Sequence, residues 1–124
     1  MDEVTAILAH EVGHVIELHG MRLNCMAIEW TDVHFSVSEA QSVFQEDFRG
    51  STRFEIWSQV SQIIEYDADR IATQILKAAD LDPKLMAQAL EKLKPKSNSG
   101  FSSGSHPEID LRIKAALDAA SLPL

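Results

Sequence analysis

The 124-residue chain is poor in cysteine, in basic residues and in long apolar runs, and each scarcity argues against a class of protein. Its single cysteine, Cys25, excludes an internal disulfide and cannot by itself form a zinc site made of thiolates. Lys and Arg number 11 against 19 Asp and Glu, which gives a formal net charge of -8. Because phosphate binding needs a basic surface, we expect no nucleic-acid partner.

The lack of long apolar runs argues against a membrane-spanning helix, which needs about 20 consecutive apolar residues. Asp2 and Glu3 follow Met1, whereas a signal peptide begins with basic residues, so we expect no signal peptide. The chain is 45% hydrophobic and 24% charged, which is the mix of an ordinary globular domain. We therefore predict one domain over residues 1–124, with no transmembrane segment and a cytoplasmic location by default.

Apolar residues recur at helical spacing over much of the chain. The pattern predicts four helices, over residues 2–19, 52–80, 82–93 and 105–120. Gly20 is the expected stop of the first helix, because glycine readily adopts the left-handed conformation that ends helices. The second helix is the longest, and neither glycine nor proline interrupts it.

Two segments of the chain do not read as helix. Apolar and polar residues alternate over residues 31–38, which favours a short strand, and residues 23–30 are its candidate hairpin partner. Residues 95–105 are rich in serine and glycine, which is typical of a loop. The predicted fold class is therefore mainly α (α+β), with a short β-hairpin or ribbon.

The clearest chemical signal is an HExxH pattern, His10-Glu11-Val12-Gly13-His14, on the first predicted helix. Four residues correspond to about 400° of helical rotation, so His10 and His14 share one face and can bind one Zn²⁺ ion. Glu11 lies at the edge of that face, where its carboxylate can take a proton from a metal-activated water. The alternative is a chance occurrence on an ordinary helix, which the apolar flanks and the small Gly13 disfavour.

A catalytic zinc usually has three protein ligands, and the sequence offers three candidate sources for the third. His19 is one residue out of register with the HExxHxxGxxH pattern, which favours a histidine at a helix end. His34 lies on the predicted strand with no motif around it, which favours a solvated or structural histidine. Glu65 and Asp69 share an apolar helix face, where an unpaired carboxylate is costly. One of the two can bind the metal while the other accepts a hydrogen bond from a ligating histidine.

Three ordered segments resemble the signature blocks of the HtpX and CAAX prenyl endopeptidase family of gluzincins. They are HEVGH at residues 10–14, EYDAD at 65–69 and SHPEIDLRI at 105–113. The resemblance covers residues 2–117 apart from 20–60. Minigluzincins, which have little beyond the zinc-binding helices, are similar in size to this chain. The resemblance implies a zincin-like helical metallopeptidase domain.

The resemblance also implies roles for individual residues. It implies one Zn²⁺ ion per chain, held by His10, His14 and Glu65. Glu11 is then the general base, and Asp69 orients a ligating histidine, with His10 as the first candidate. In such enzymes the histidine of the third block stabilises the oxyanion and an arginine supports it, and the matching positions here are His106 and Arg112.

The predicted function is therefore that of a zinc metalloendopeptidase, a hydrolase acting on peptide or protein substrates. Members of the resembled family are often membrane-associated. An alternative is a latent or truncated catalytic fragment whose zinc is mainly structural, with residues 95–105 as a lid or the C-terminal tail in the cleft. A third hypothesis is an acidic interaction domain without a metal.

Overall fold

A computed structural model of the chain describes residues 2–23, 25, 52–94 and 106–123, with the backbone alone at 52–54 and 106–108. Four helices account for most of these residues: α1 (Asp2–Ile16), α2 (Thr52–Ala78), α3 (Leu85–Leu93) and α4 (His106–Ser121). Residues 19–23 are also helical, and the described ranges contain no strand. The prediction of a mainly α fold is confirmed. Within these ranges, no helix is both long and apolar enough to cross a membrane.

The segments predicted to be non-helical lie almost wholly outside the described residues. They are the strand over 31–38, residues 26–30 of its candidate partner and the loop over 95–105. At the start of that partner, Leu23 and Cys25 are helical.

The first helix ends three residues earlier than the sequence pattern predicts, at Ile16. Leu18 causes this, because its φ of 54° lies in the left-handed region, which residues other than glycine seldom adopt. The N–H of Leu18 donates to the carbonyl of Val15 (3.1 Å), which closes the last turn. The expectation that Gly20 ends this helix is wrong, since Gly20 lies inside the next helical stretch.

The chain divides into two compact units, and the expectation of a single domain over 1–124 stays a prediction. Unit 1 comprises Met1–Gly13 and Tyr66–Leu124, and unit 2 comprises His14–Glu65. Both boundaries fall inside a helix, after Gly13 in α1 and after Glu65 in α2.

Unit 1 is built around small and medium apolar side chains. Its buried core consists of Ala6, Ala9, Ala72, Leu76, Leu85, Met86, Ala87, Ala89, Leu90 and Ala116. Six of these ten side chains are alanine, which lets helix backbones approach one another closely. At the edge of the unit, Lys92 pairs with Glu3, and Lys94 pairs with Asp110 (2.6 Å). Lys77 on α2 donates to the Ala119 carbonyl (2.6 Å) near the end of α4.

Gly13 sets how closely α1 approaches α2 within unit 1. A Cβ atom at this position would lie 3.1 Å from the carbonyl oxygen of Ala68 and 3.2 Å from its Cα. These distances are shorter than ordinary van der Waals contacts, and the atoms met belong to a helix backbone. Gly13 therefore lets the helix that carries the HExxH pattern approach the backbone of α2 next to Asp69.

The described part of unit 2 consists of the end of α1, the helical stretch 19–23 and the first half of α2. Trp57 and Ile64 are buried on α2, with 8% and 7% of their surface exposed. The most buried side chain of this part is polar, because His19 is only 1% exposed.

Candidate metal centre

The three predicted zinc ligands come together in the structure. His10, His14 and Glu65 each offer one ligand atom, and these atoms lie within 4.8 Å of one another. His10 is buried, whereas His14 and Glu65 are half-buried. The two histidines are one turn apart on α1, as the spacing of the HExxH pattern predicts.

The separation of His14 and Glu65, both in unit 2, fits a shared metal ion. Nε2 of His14 lies 3.4 Å from Oε1 of Glu65. Zinc binds nitrogen and oxygen ligands at about 2.0–2.2 Å in a tetrahedron, whose ligand atoms are then roughly 3.3 Å apart. Two imidazoles and one carboxylate are also a common ligand set of catalytic zinc. The residues present therefore fit a zinc ion.

The side chain of Asp69 holds His10 within unit 1. Nδ1 of His10 lies 2.8 Å from Oδ1 of Asp69, and this carboxylate is only 2% exposed. Because a carboxylate accepts hydrogen bonds, Nδ1 of His10 carries the proton and donates it. The lone pair of His10 is then on Nε2, where it is available to a metal.

Arg112 on α4 holds the same carboxylate with two hydrogen bonds. Its Nε donates to Oδ2 of Asp69 (2.7 Å), and its Nη2 donates to Oδ1 (2.9 Å). A bidentate pair of this kind fixes the plane of the carboxylate and compensates its buried charge. In the described residues Arg112 contacts Asp69, and its implied role beside His106 stays a prediction.

His19, which the sequence pattern assigns to a helix end, instead contacts a predicted ligand. Its Nδ1 lies 3.0 Å from Nδ1 of His14, and the two rings meet edge to face, at 76°. The sequence reasoning missed this contact because it assumed one continuous helix. The only available signal was the third histidine itself, five residues after His14, since nothing in the sequence indicates the turn at Leu18.

The remaining residues singled out in the sequence are Glu11, His106 and His34. Glu11 is exposed on α1, next to His10 in the sequence. His106 is the first residue of α4, and its side chain is outside the described residues, as is the whole of His34.

Comparison with protein families gives a match that spans nearly all of this chain. The model of peptidase family M48 matches residues 1–120. No curated protein matches the chain, and no solved structure does. Because the family match spans almost the whole sequence and includes the three clustered ligands, this chain belongs to peptidase family M48, a family of zinc metallopeptidases that act on peptides or proteins.

Proposed function

We propose that this chain is a zinc-dependent endopeptidase that hydrolyses internal peptide bonds of peptide or protein substrates. One observation carries the proposal: in a member of peptidase family M48, His10, His14 and Glu65 offer ligand atoms within 4.8 Å of one another. Three protein ligands of this kind leave the fourth position of a tetrahedral zinc open, which distinguishes catalytic from structural sites.

Hydrolysis needs a group that moves a proton, and Glu11 is the proposed general base. The chemistry that a zinc ion supplies when bound is polarisation of the scissile carbonyl and of the attacking water. The carboxylate of Glu11 accepts the proton of that water and then donates it to the leaving amine. Glu11 follows His10 directly on α1 and is exposed, so a substrate and a water molecule have access to it.

Asp69 and Arg112 are the proposed orienting groups. Asp69 keeps the proton of His10 on Nδ1 and so directs Nε2 to the metal. Arg112 binds both oxygens of Asp69 and so fixes that carboxylate. The imidazole of His10 therefore cannot rotate without breaking its hydrogen bond to Asp69. We further propose that His106, at the start of the same helix, donates a hydrogen bond to the developing oxyanion.

The proposed branch of the family is the group of HtpX and CAAX prenyl endopeptidases, which are gluzincins. This finer assignment is supported by the order of the three blocks HEVGH, EYDAD and SHPEIDLRI in the sequence. The separation of the blocks along the chain agrees with the geometry, because the first two contribute the clustered ligands and the third contributes Arg112.

The experiment that tests the proposal measures metal content and cleavage together. We expect one zinc per chain and hydrolysis of unfolded casein that a chelator abolishes and added zinc restores. Glu11→Gln should keep the zinc and abolish cleavage, because the amide cannot accept the proton. Glu17→Gln is the matched control, since Glu17 lies just beyond α1 and pairs with Arg22 (3.7 Å). Unchanged cleavage in Glu11→Gln would overturn the mechanism, and a zinc-free protein after reconstitution would overturn the function.

A further inference from the structure

We propose that His19 is a positioning residue of the metal centre. In this proposal, Nδ1 of His19 accepts a hydrogen bond from Nδ1–H of His14 and so holds His14 in the tautomer that presents Nε2 to the metal. The inference rests on the proposed zinc site, and it adds a residue to that site's support.

The contact between the two rings has the geometry of a hydrogen bond. The two Nδ1 atoms are 3.0 Å apart, the ring centroids are 5.1 Å apart and the rings are inclined by 76°. Both residues lie in unit 2, and His19 is 1% exposed. A polar side chain this deeply buried needs hydrogen-bonding partners, and His14 is one of them.

The backbone leaves the helical conformation at Leu18, between the two histidines that are in contact. On a continuous helix, five residues correspond to about 500° of rotation, so His19 would project about 140° away from His14. Leu18 instead adopts a φ of 54°, which is unfavourable for a residue with a branched side chain. Glycine, which adopts this conformation without strain, is available two residues later at Gly20. An unfavourable conformation next to a candidate site is consistent with a functional constraint on the position of His19.

The nitrogen that carries the proton in each ring follows from the nitrogen that has to offer its lone pair. Nε2 of His14 is the atom that lies beside Glu65, so a neutral His14 that offers this lone pair carries its proton on Nδ1. That proton points at Nδ1 of His19, which therefore bears the lone pair and has its own proton on Nε2. His10 follows the same rule, with the carboxylate of Asp69 as the acceptor. Both histidine ligands are thus held through Nδ1, one by an anion and one by a neutral ring.

The first measurement determines the tautomer directly and does not require a metal. Nitrogen-15 spectra of the zinc-free Glu65→Ala variant, which lacks the carboxylate beside Nε2 of His14, distinguish Nδ1–H from Nε2–H rings at about pH 8, where an ordinary histidine is neutral. We expect Nδ1–H for His14 and Nε2–H for His19. The opposite assignment for His14 would overturn the inference even if the protein binds zinc and cleaves casein.

The second measurement determines the zinc affinity of variants by competition with a chelator. His19→Leu removes the acceptor, and we expect the zinc dissociation constant to rise about 10- to 100-fold, the usual effect of removing a group that orients a metal ligand. His19→Asn should recover most of the loss, because its amide oxygen is as many bonds from the backbone as Nδ1. Leu90→Ala is the control for general destabilisation, since Leu90 is a 1% exposed core residue of unit 1.

The outcomes separate this inference from the proposed function. Wild-type zinc affinity in His19→Leu, together with weak binding in Glu65→Ala, would leave the function standing and remove His19 from the site. Equal losses in His19→Leu and Leu90→Ala would assign His19 a purely structural role and overturn the inference. If the wild-type chain binds no zinc, the proposed function fails, and the nitrogen-15 spectra still decide the tautomer of His14.

Discussion

Nδ1 of His10 lies 2.8 Å from Oδ1 of Asp69, although the two residues are 59 positions apart in the chain. The contact joins α1 to α2 within unit 1, and both of its side chains are almost fully buried. The carboxylate of Asp69 accepts from His10 on α1 and from Arg112 on α4. Stability of the unit and orientation of a proposed metal ligand, His10, therefore depend on the same carboxylate.

Replacement of Asp69 by asparagine should weaken both properties. The amide keeps an oxygen for Nδ1 of His10 but removes the negative charge that Asp69 offers to Arg112, and Arg112 is 14% exposed. Breaking one side of a buried ion pair typically costs about 3–5 kcal/mol of unfolding free energy. We expect the lower part of that range by urea unfolding, and a roughly 10-fold loss of zinc affinity. Asp67→Asn is the control, because Asp67 pairs with exposed Arg70 (3.4 Å), and an equal loss there would contradict the assignment.

Removal of Glu65 should affect the metal more than the fold. Glu65 is 35% exposed and offers the third ligand atom of the proposed zinc site, so Glu65→Ala would leave two imidazoles to hold the ion. We expect zinc affinity to fall by more than about 100-fold, beyond the effect of removing an orienting group. Glu55→Ala, an exposed acidic residue on the same helix, should bind zinc as the wild type does. Titration with a zinc indicator measures both, and equal affinities would contradict the ligand assignment.

Gly13 and Gly20 should respond in opposite ways to replacement by alanine. Gly13→Ala places a Cβ 3.1 Å from the Ala68 carbonyl oxygen, and we expect a loss of about 1–3 kcal/mol of unfolding free energy from overpacking. Gly20→Ala meets nothing within 4 Å and lies in a helical stretch, so we expect it to be neutral or stabilising by up to about 1 kcal/mol. Thermal unfolding of the two variants tests this, and a stabilised Gly13→Ala would contradict the close approach of the helices.

The ion pairs at the edge of unit 1 predict how stability depends on pH. Lys92 donates a hydrogen bond to Glu3 and lowers the pKa of that carboxyl below 4.5. A lowered pKa means that the pair stabilises the fold above pH 4.5 and stops doing so as the pH falls through the lower, folded-state pKa. Asp110 and Glu91 raise the pKa of Lys94 above 10.5, so its contribution is present below pH 10.5 and is lost as the pH rises through the raised value.

The measurement for these pairs is the thermal midpoint as a function of pH. Lys92→Met should flatten the acid limb of the profile slightly and leave the alkaline limb unchanged. Lys94→Met should do the reverse. Both effects should be small, because the pairs are exposed to solvent and screened by it. A large effect of either variant at pH 7 would show that these lysines do more than pair with carboxylates.

The sequence predicts those features of the fold and of the site that depend on the geometry of a single helix. The spacing of His10 and His14 follows from 3.6 residues per turn, and so does the shared face of Glu65 and Asp69. Contacts between helices depend on how the helices pack, and the spacing of apolar residues along each helix does not determine this packing. The sequence therefore indicates a functional role for Arg112 and for Asp69 but does not predict that the two residues pair with each other.

The turn after α1 was missed for a different reason. Leu18 has no local signal for a left-handed conformation, and Gly20, which has one, lies in helix. Burial of His19 and its contact with His14 are tertiary interactions that override the local preference. The left-handed conformation of Leu18 therefore changes the role expected for His19. It is a candidate metal ligand in the sequence, and in the structure it contacts His14, another candidate ligand.

The three-residue contact of His10, Asp69 and Arg112 also has a consequence for synthesis of the chain on the ribosome. A nascent chain that ends before residue 112 already contains His10, His14, Glu65 and Asp69, but it lacks the guanidinium that binds Asp69. Closing the 43-residue separation between Asp69 and Arg112 costs conformational entropy, which the packing of α4 has to offset. The orientation of His10 by the complete contact is therefore possible only after α4 has been synthesised, so the order of synthesis delays the assembly of the candidate centre.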